Sequence, residues 1–172
     1  QNRFFIDYVE EKGRMFTETG EDIVFDDLGK KEKGFVSKLL KRLGHDCKNI
    51  VYCNTVADTI DFALKFSRSL PERDDPKIDS LIELIKSYVH KDYFLIDCLK
   101  KGVAFHFGRL PQRIREKTEK LFEEKVIDYM FCTSTLLEGV NLPAKNIFIF
   151  SNAIGNSKFS DVDFWNLAGR AG

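Results

Sequence analysis

Amides, short hydroxyls, a histidine and an arginine gather where apolar runs give way to polar turns. Asn54-Thr55 follows Ile50-Val51-Tyr52-Cys53, His106-Phe107-Gly108-Arg109 closes the run from Val103, and Thr133-Ser134-Thr135 ends the run from Tyr129. A fourth polar stretch follows Phe150. Groups of this kind suit phosphate oxygens, because hydroxyls, cations and backbone N–H groups hold a phosphodiester without reading a base. Each also has a structural use. The three hydroxyls at 133–135 cap a strand end as readily as they bind an anion. Thr55 stands three residues before Asp58, the spacing of a helix cap, and a helix N-terminus is itself a phosphate site. His106 is equally a satisfied buried histidine, and Gly108 and Arg109 precede Pro111 at another helix start.

The elements that must position these turns alternate strand and helix from Asn49 onward. Ile50-Val51-Tyr52-Cys53 is short and continuously apolar, as in a strand buried on both faces. A helix is predicted from Val56 to Phe66, and a second from Pro76, with Ile78, Leu81, Ile82, Ile85, Tyr88 and Val89 at helical spacing. A third spans Tyr93 to Lys100 and stops before Gly102. Strand Val103–His106, a helix from Pro111 through Ile114, Leu121 and Phe122, strand Tyr129–Thr133, a short helical turn at Leu136 and strand Ile147–Phe150 follow. The last helix starts near Ser160-Asp161, where Ser160 and Asp163 again have cap spacing; Phe164 and Trp165 on it read as core. The order implies an α/β domain with a parallel sheet covered on both faces, whose ligands bind at the carboxyl ends of the strands. Upstream, residues 4–9 and 14–17 flank Glu11-Lys12-Gly13 as a hairpin, and a lysine-rich helix carries Phe35, Val36, Leu39, Leu40 and Leu43 before Gly44. Residues 1–44 thus read as a linker or inter-domain element, and 45–172 as the main domain.

Composition sets bounds on these readings. A chain of 172 residues fits one domain, and 16 phenylalanines supply a real core. Charge balances at 27 against 27, so net charge says nothing of a polyanionic partner. Locally, Lys100 to Lys125 carry 8 basic and 4 acidic side chains, against 5 and 9 in residues 1–32. Cys47, Cys53, Cys98 and Cys132 have no zinc spacing and read as free thiols, which favours a reducing cytoplasm. No metal site is expected. No apolar run approaches the roughly 18 residues of a membrane span.

Two stretches carry a resemblance to a known family. Phe131 to Ala144, containing Thr133-Ser134-Thr135, Glu138-Gly139 and Asn141-Leu142-Pro143-Ala144, is similar to motif V of superfamily 2 helicases. Asp163 to Gly172 resembles motif VI and stops one residue before the last arginine of its Gly-Arg-Ala-Gly-Arg signature. Gly102 to His106 matches the Gly-Val-Ala-Phe-His segment of the superkiller-like branch of the DEAD/DEAH helicases, and Asn49 onward follows motifs IV, IVa, V and VI of their C-terminal RecA-like domain. Relatives often show His-His-x-Gly-Leu where this chain has Phe107 and Arg109 at the second histidine and the glycine.

The resemblance implies a three-layer RecA-like domain, half of an ATP-dependent helicase or translocase. It implies nucleic-acid contacts from Asn54, Thr55, His106, Gly108, Arg109, Thr133, Ser134 and Thr135. It implies nucleotide contacts from Glu138, Gly139, Asn141, Asn166 and Gly169, and an arginine finger at Arg170. Gly139 is also explained as a turn glycine needing positive φ. Asn166 stands where the family usually has glutamine, one methylene longer. No G-x-x-x-x-G-K-[ST] loop occurs, nor an acidic box for Mg²⁺. ATP and Mg²⁺ are therefore expected mainly on an N-terminal RecA-like domain of the same protein, with single-stranded DNA or RNA for the track, and this fragment alone is expected to be inactive. The alternatives are a non-catalytic RecA-like docking or regulatory module and, less well supported, a small nucleotide enzyme.

Overall fold

Four parallel strands in the order β5-β6-β4-β7 form the sheet on which every candidate residue of the main domain depends. They are β4 (Asn49–Tyr52), β5 (Val103–His106), β6 (Tyr129–Cys132) and β7 (Asn146–Ile149). The computed structural model describes residues 6–9, 14–17, 22–23, 35–136, 142–151 and 153–169. The chain divides into one unit over Gln1–His45 and another over Asp46–Ala171.

In the first unit, β1 (Ile6–Val9) pairs antiparallel with β2 (Arg14–Thr17), Ile6 opposite Thr17, and β2 pairs with β3 (Asp22–Ile23). Helix α1 (Phe35–Gly44) ends at its glycine, with Leu39 and Leu40 buried.

In the second unit every residue of β4, β5 and β6 is buried, which is why these runs are continuously apolar rather than alternating. Register is level across the sheet: Tyr52 pairs with Cys132 and Ile149, and His106 with Cys132. Side chains alternate between faces. On one face Phe66 of α2 (Val56–Ser67) meets Tyr129 edge-on at 4.6 Å and Phe131 at 5.8 Å. Helix α4 (Leu95–Leu99) packs on β5 beside α2. His106 points to the other face, toward α5 (Gln112–Glu123).

Helix α3 (Pro76–Tyr88) starts where Pro76 follows the Asp75 cap, whose carboxylate accepts from the Lys77 N–H at 2.8 Å. It runs antiparallel to α5, tied by Lys77–Glu124 at 2.6 Å, Lys117–Ser80 at 2.5 Å and Arg113–Tyr88 at 2.6 Å. The helix expected from Tyr93 is shorter, because Tyr93 and Phe94 form the preceding turn. At the amino edge of the sheet Gly102 takes φ 71°, and Arg73 lies over it while pairing with Asp128. After β7 comes a hairpin absent from the strand-by-strand reading, β8 (Ala153–Ile154) with β9 (Ser157–Lys158). The last helix, α6 (Asp161–Ala168), follows it.

Candidate functional site

Parallel, level strands place the ends of β5, β6 and β4 side by side on one edge. The turns that leave them are stitched together by backbone bonds: Thr133 N–H to the His106 carbonyl at 3.3 Å, and Cys53 N–H to the Cys132 carbonyl at 2.8 Å. The turn after β5 touches the turn after β6. A Cβ on Gly108 would stand 3.3 Å from Thr135 Cγ2 and 3.4 Å from its Oγ1, so a larger residue there would need the Thr135 side chain to give by a few tenths of an ångström. The hydroxyls of Thr133 and Thr135 lie 3.3 Å apart, and Leu136 N–H bonds the Thr133 carbonyl at 3.2 Å as a helical turn begins. Thr133 itself is buried, whereas Ser134 and Thr135 are half-exposed and Gly108 and Arg109 are exposed. The rim offered to solvent is therefore Gly108, Arg109, Ser134 and Thr135.

The other three candidates at this edge have their polar atoms bonded within the chain. His106 is only 1% exposed, and its Nε2 lies 2.6 Å from Glu119 Oε1 while Nδ1 is buried without a hydrogen-bond partner. Burial holds its pKa below the ordinary histidine value, with the Glu119 carboxylate opposing that shift and Arg115 adding to it. A neutral imidazole donating Nε2–H to Glu119 fits this arrangement, and the ring is not presented to a ligand. Thr55 caps α2: its Oγ1 accepts the Asp58 N–H at 3.0 Å and donates to Asp58 Oδ2 at 2.7 Å. Asn54 bonds the backbone of Gly155 twice, Nδ2 donating to its carbonyl at 2.9 Å and Oδ1 accepting its N–H at 2.8 Å. Phe107, at the position of a second histidine in relatives, is 6% exposed and stacks on Phe105 at 5.7 Å, with 7° between the rings. It anchors the turn from below and leaves Gly108 and Arg109 outside.

Of the nucleotide-side candidates, Asn166 and Gly169 fall at the exposed end of α6. Gly169 closes the helix, its N–H bonding the Trp165 carbonyl at 2.8 Å. Ser160 and Asp163 form a reciprocal capping box at the helix start. Trp165 is 57% exposed, which corrects its reading as core: α6 buries only Leu167 and Ala168, and the indole meets Phe164 edge-on at 5.6 Å instead. Glu138, Gly139, Asn141 and Arg170 lie outside the described residues.

Residues 33–172 match the helicase conserved C-terminal domain. The chain belongs to that family, as a superfamily 2 helicase C-terminal RecA-like domain. It is 31% identical over 140 residues to anti-bacteriophage protein B of Escherichia coli K12, covering 78% of this chain and 18% of that protein. It is 30% identical over 134 residues to the ATP-dependent DNA helicase Hel308 of Methanocella arvoryzae, covering 72% and 18%. It is 32% identical over 149 residues to the ATP-dependent DNA helicase MER3 of Saccharomyces cerevisiae, covering 83% and 12%. The chain thus spans 12–18% of the length of these relatives.

Sequence reasoning missed two features that bear on these strand-end turns. One is the β8–β9 hairpin, signalled by Gly155-Asn156, a two-residue hairpin loop in which Gly155 supplies φ 59°. The other is Glu119, whose pairing with His106 has no local signature. Cys53, Cys98 and Cys132 are buried free thiols and Cys47 is half-buried; burial pushes Cys53 and Cys98 up to about 12. Among the described residues no cluster of His, Cys, Asp and Glu gathers as a metal site needs, and no helix is long and apolar enough to cross a membrane.

Proposed function

We propose that this domain is the C-terminal motor half of an ATP-dependent helicase or translocase that holds a nucleic-acid strand by its phosphates. The observation that carries this reading is the juxtaposition of two strand-end turns, linked by Thr133 N–H to the His106 carbonyl, in one rim of exposed backbone, hydroxyls and the Arg109 cation. Such a rim positions a backbone and carries no sequence information. DNA is the proposed track, since Hel308 and MER3, among the chain's relatives, are named as DNA helicases.

The nucleotide is assigned to a second set of residues. Arg170 is the proposed arginine finger, following directly on α6, with Asn166, Gly169, Glu138, Gly139 and Asn141 near the same phosphates and sugar. Triphosphate and Mg²⁺ would sit mainly on an N-terminal RecA-like domain, with residues 1–44 as the inter-domain element. Closing the two halves brings Arg170 to the γ-phosphate, where its charge stabilises the transition state.

The test uses the full-length protein that contains this chain, with single-stranded DNA and ATP. Arg170→Ala is expected to lower stimulated turnover by roughly 10³-fold or more while leaving DNA affinity within a few fold. Arg109→Ala is expected to weaken DNA binding and reduce the slope of log affinity against log salt by about 0.7–0.9. Normal DNA-stimulated turnover in Arg170→Ala protein overturns the motor reading.

A further inference from the structure

Asn54 sits at the end of the central strand β4, yet both of its side-chain hydrogen bonds go to a residue 101 positions away, the hairpin-tip Gly155. Asn54 Oδ1 accepts from the Gly155 N–H and its Nδ2 donates to the Gly155 carbonyl, so the amide reads the hairpin backbone as a neighbouring strand would. Two residues earlier on β4, the Tyr52 hydroxyl donates to the Ala153 carbonyl at 2.8 Å. The same phenol ring meets Phe159 at 5.0 Å, and Phe159 directly precedes the Ser160 that caps α6. The segment entering α6 is thus held at Ala153, Gly155 and Phe159 by the last residue of β4 and by Asn54, two residues beyond it.

That strand is one of the two inner strands of the sheet. β4 pairs with β6 on one side and β7 on the other, and Tyr52 is wholly buried. The hairpin has only two paired residues per strand, with Ser157 and Lys158 exposed, so its own ladder fixes it weakly. What it lacks internally, β4 supplies.

We infer that Asn54 and Tyr52 form a latch that sets the position of α6 relative to the sheet, acting as positioning residues for the nucleotide-side end of that helix rather than as contacts to nucleic acid. The inference rests on the proposed role of Arg170 for its effect on turnover. It assigns Asn54 to the opposite task from the one its place at a strand end suggests. The latch joins the edge that carries the Gly108–Thr135 rim to the helix that leads into Arg170, through two side chains and no ligand.

Tyr52 makes the idea testable, because a buried phenol cannot touch a strand of DNA whereas Asn54 is partly exposed. Full-length protein carrying Tyr52→Phe keeps the ring against Phe159 and loses only the bond to Ala153. Asn54→Ala loses both bonds to Gly155. At saturating single-stranded DNA, kcat for ATP is expected to fall roughly 5-fold in Tyr52→Phe and about 5–30-fold in Asn54→Ala, the DNA concentration for half-maximal stimulation staying within twofold. Amide hydrogen exchange over 153–158 and at the start of α6 is expected to speed up in both.

If Asn54→Ala only raises the half-maximal DNA concentration and Tyr52→Phe is silent, Asn54 is a ligand contact and the latch is wrong. Faster exchange with unchanged kcat in both variants likewise removes the positioning role. Unchanged exchange in both overturns the latch outright. Wild-type protein without DNA-stimulated turnover retires the motor reading instead, and the exchange measurement then decides the latch alone.

Discussion

At the scale of single residues, this domain spends polar side chains on itself at positions where sequence suggests ligands. His106 shows the physics most plainly, since burial outweighs the attraction of Glu119 and holds the ring's pKa down. Unfolding returns it to the ordinary value of about 6.5, so the unfolded chain binds the extra proton first. This contribution to stability is fully present above pH 6.5 and is lost as pH falls from there through the folded-state pKa. Urea midpoints measured from pH 7.5 to 5.0 should decline across that window. Glu119→Gln, which can accept from a neutral ring and cannot offset a charged one, should steepen the decline; a flatter profile contradicts this account. The sequence made Thr55 legible as a cap because Thr-x-x-Asp is a local signal, and the cap is present. It could not reveal the partners of Asn54 or His106. One bonds a backbone 101 residues distant and the other a glutamate on the far side of a turn, and neither pairing depends on a pattern of residue types.

At the scale of elements, what was legible was what burial dictates. β4, β5 and β6 are buried along their whole length and mostly apolar, and their expected and observed limits agree within one residue. The hairpin after β7 escaped notice because two-residue strands carry no periodicity, leaving only Gly155-Asn156 as a signal. Packing of α2 on the sheet converges on Phe66, 2% exposed and in ring contact with Tyr129 and Phe131. Phe66→Ala removes those contacts between two rigid elements that cannot easily close the gap. It should cost about 3–5 kcal/mol by chemical denaturation. A loss below about 1 kcal/mol would mean that α2 is not fixed to the sheet by this ring.

At the scale of the whole molecule, the proposed function assigns this domain two regions, each with only part of the chemistry it needs. In that proposal the rim of Gly108, Arg109, Ser134 and Thr135 holds a phosphate chain, and Arg170, next in sequence after the Gly169 that closes α6, supplies one cation to a triphosphate. Yet the sequence holds no glycine-rich loop ending in Gly-Lys-Ser or Gly-Lys-Thr, the arrangement whose backbone and lysine cradle a triphosphate, and no Asp-Glu-x-His or Asp-Glu-x-Asp box for Mg²⁺. An arginine finger stabilises charge that develops on a phosphate already held by other groups, so by itself it gives no foothold for catalysis. The 172-residue chain, shown by a cooperative thermal transition to be folded, should therefore release no phosphate above background from ATP and Mg²⁺, with or without single-stranded DNA. The full-length protein assayed beside it should show DNA-stimulated release. Turnover by the isolated chain at the full-length rate would make it a self-sufficient nucleotide enzyme, with a triphosphate site built from residues other than those argued above.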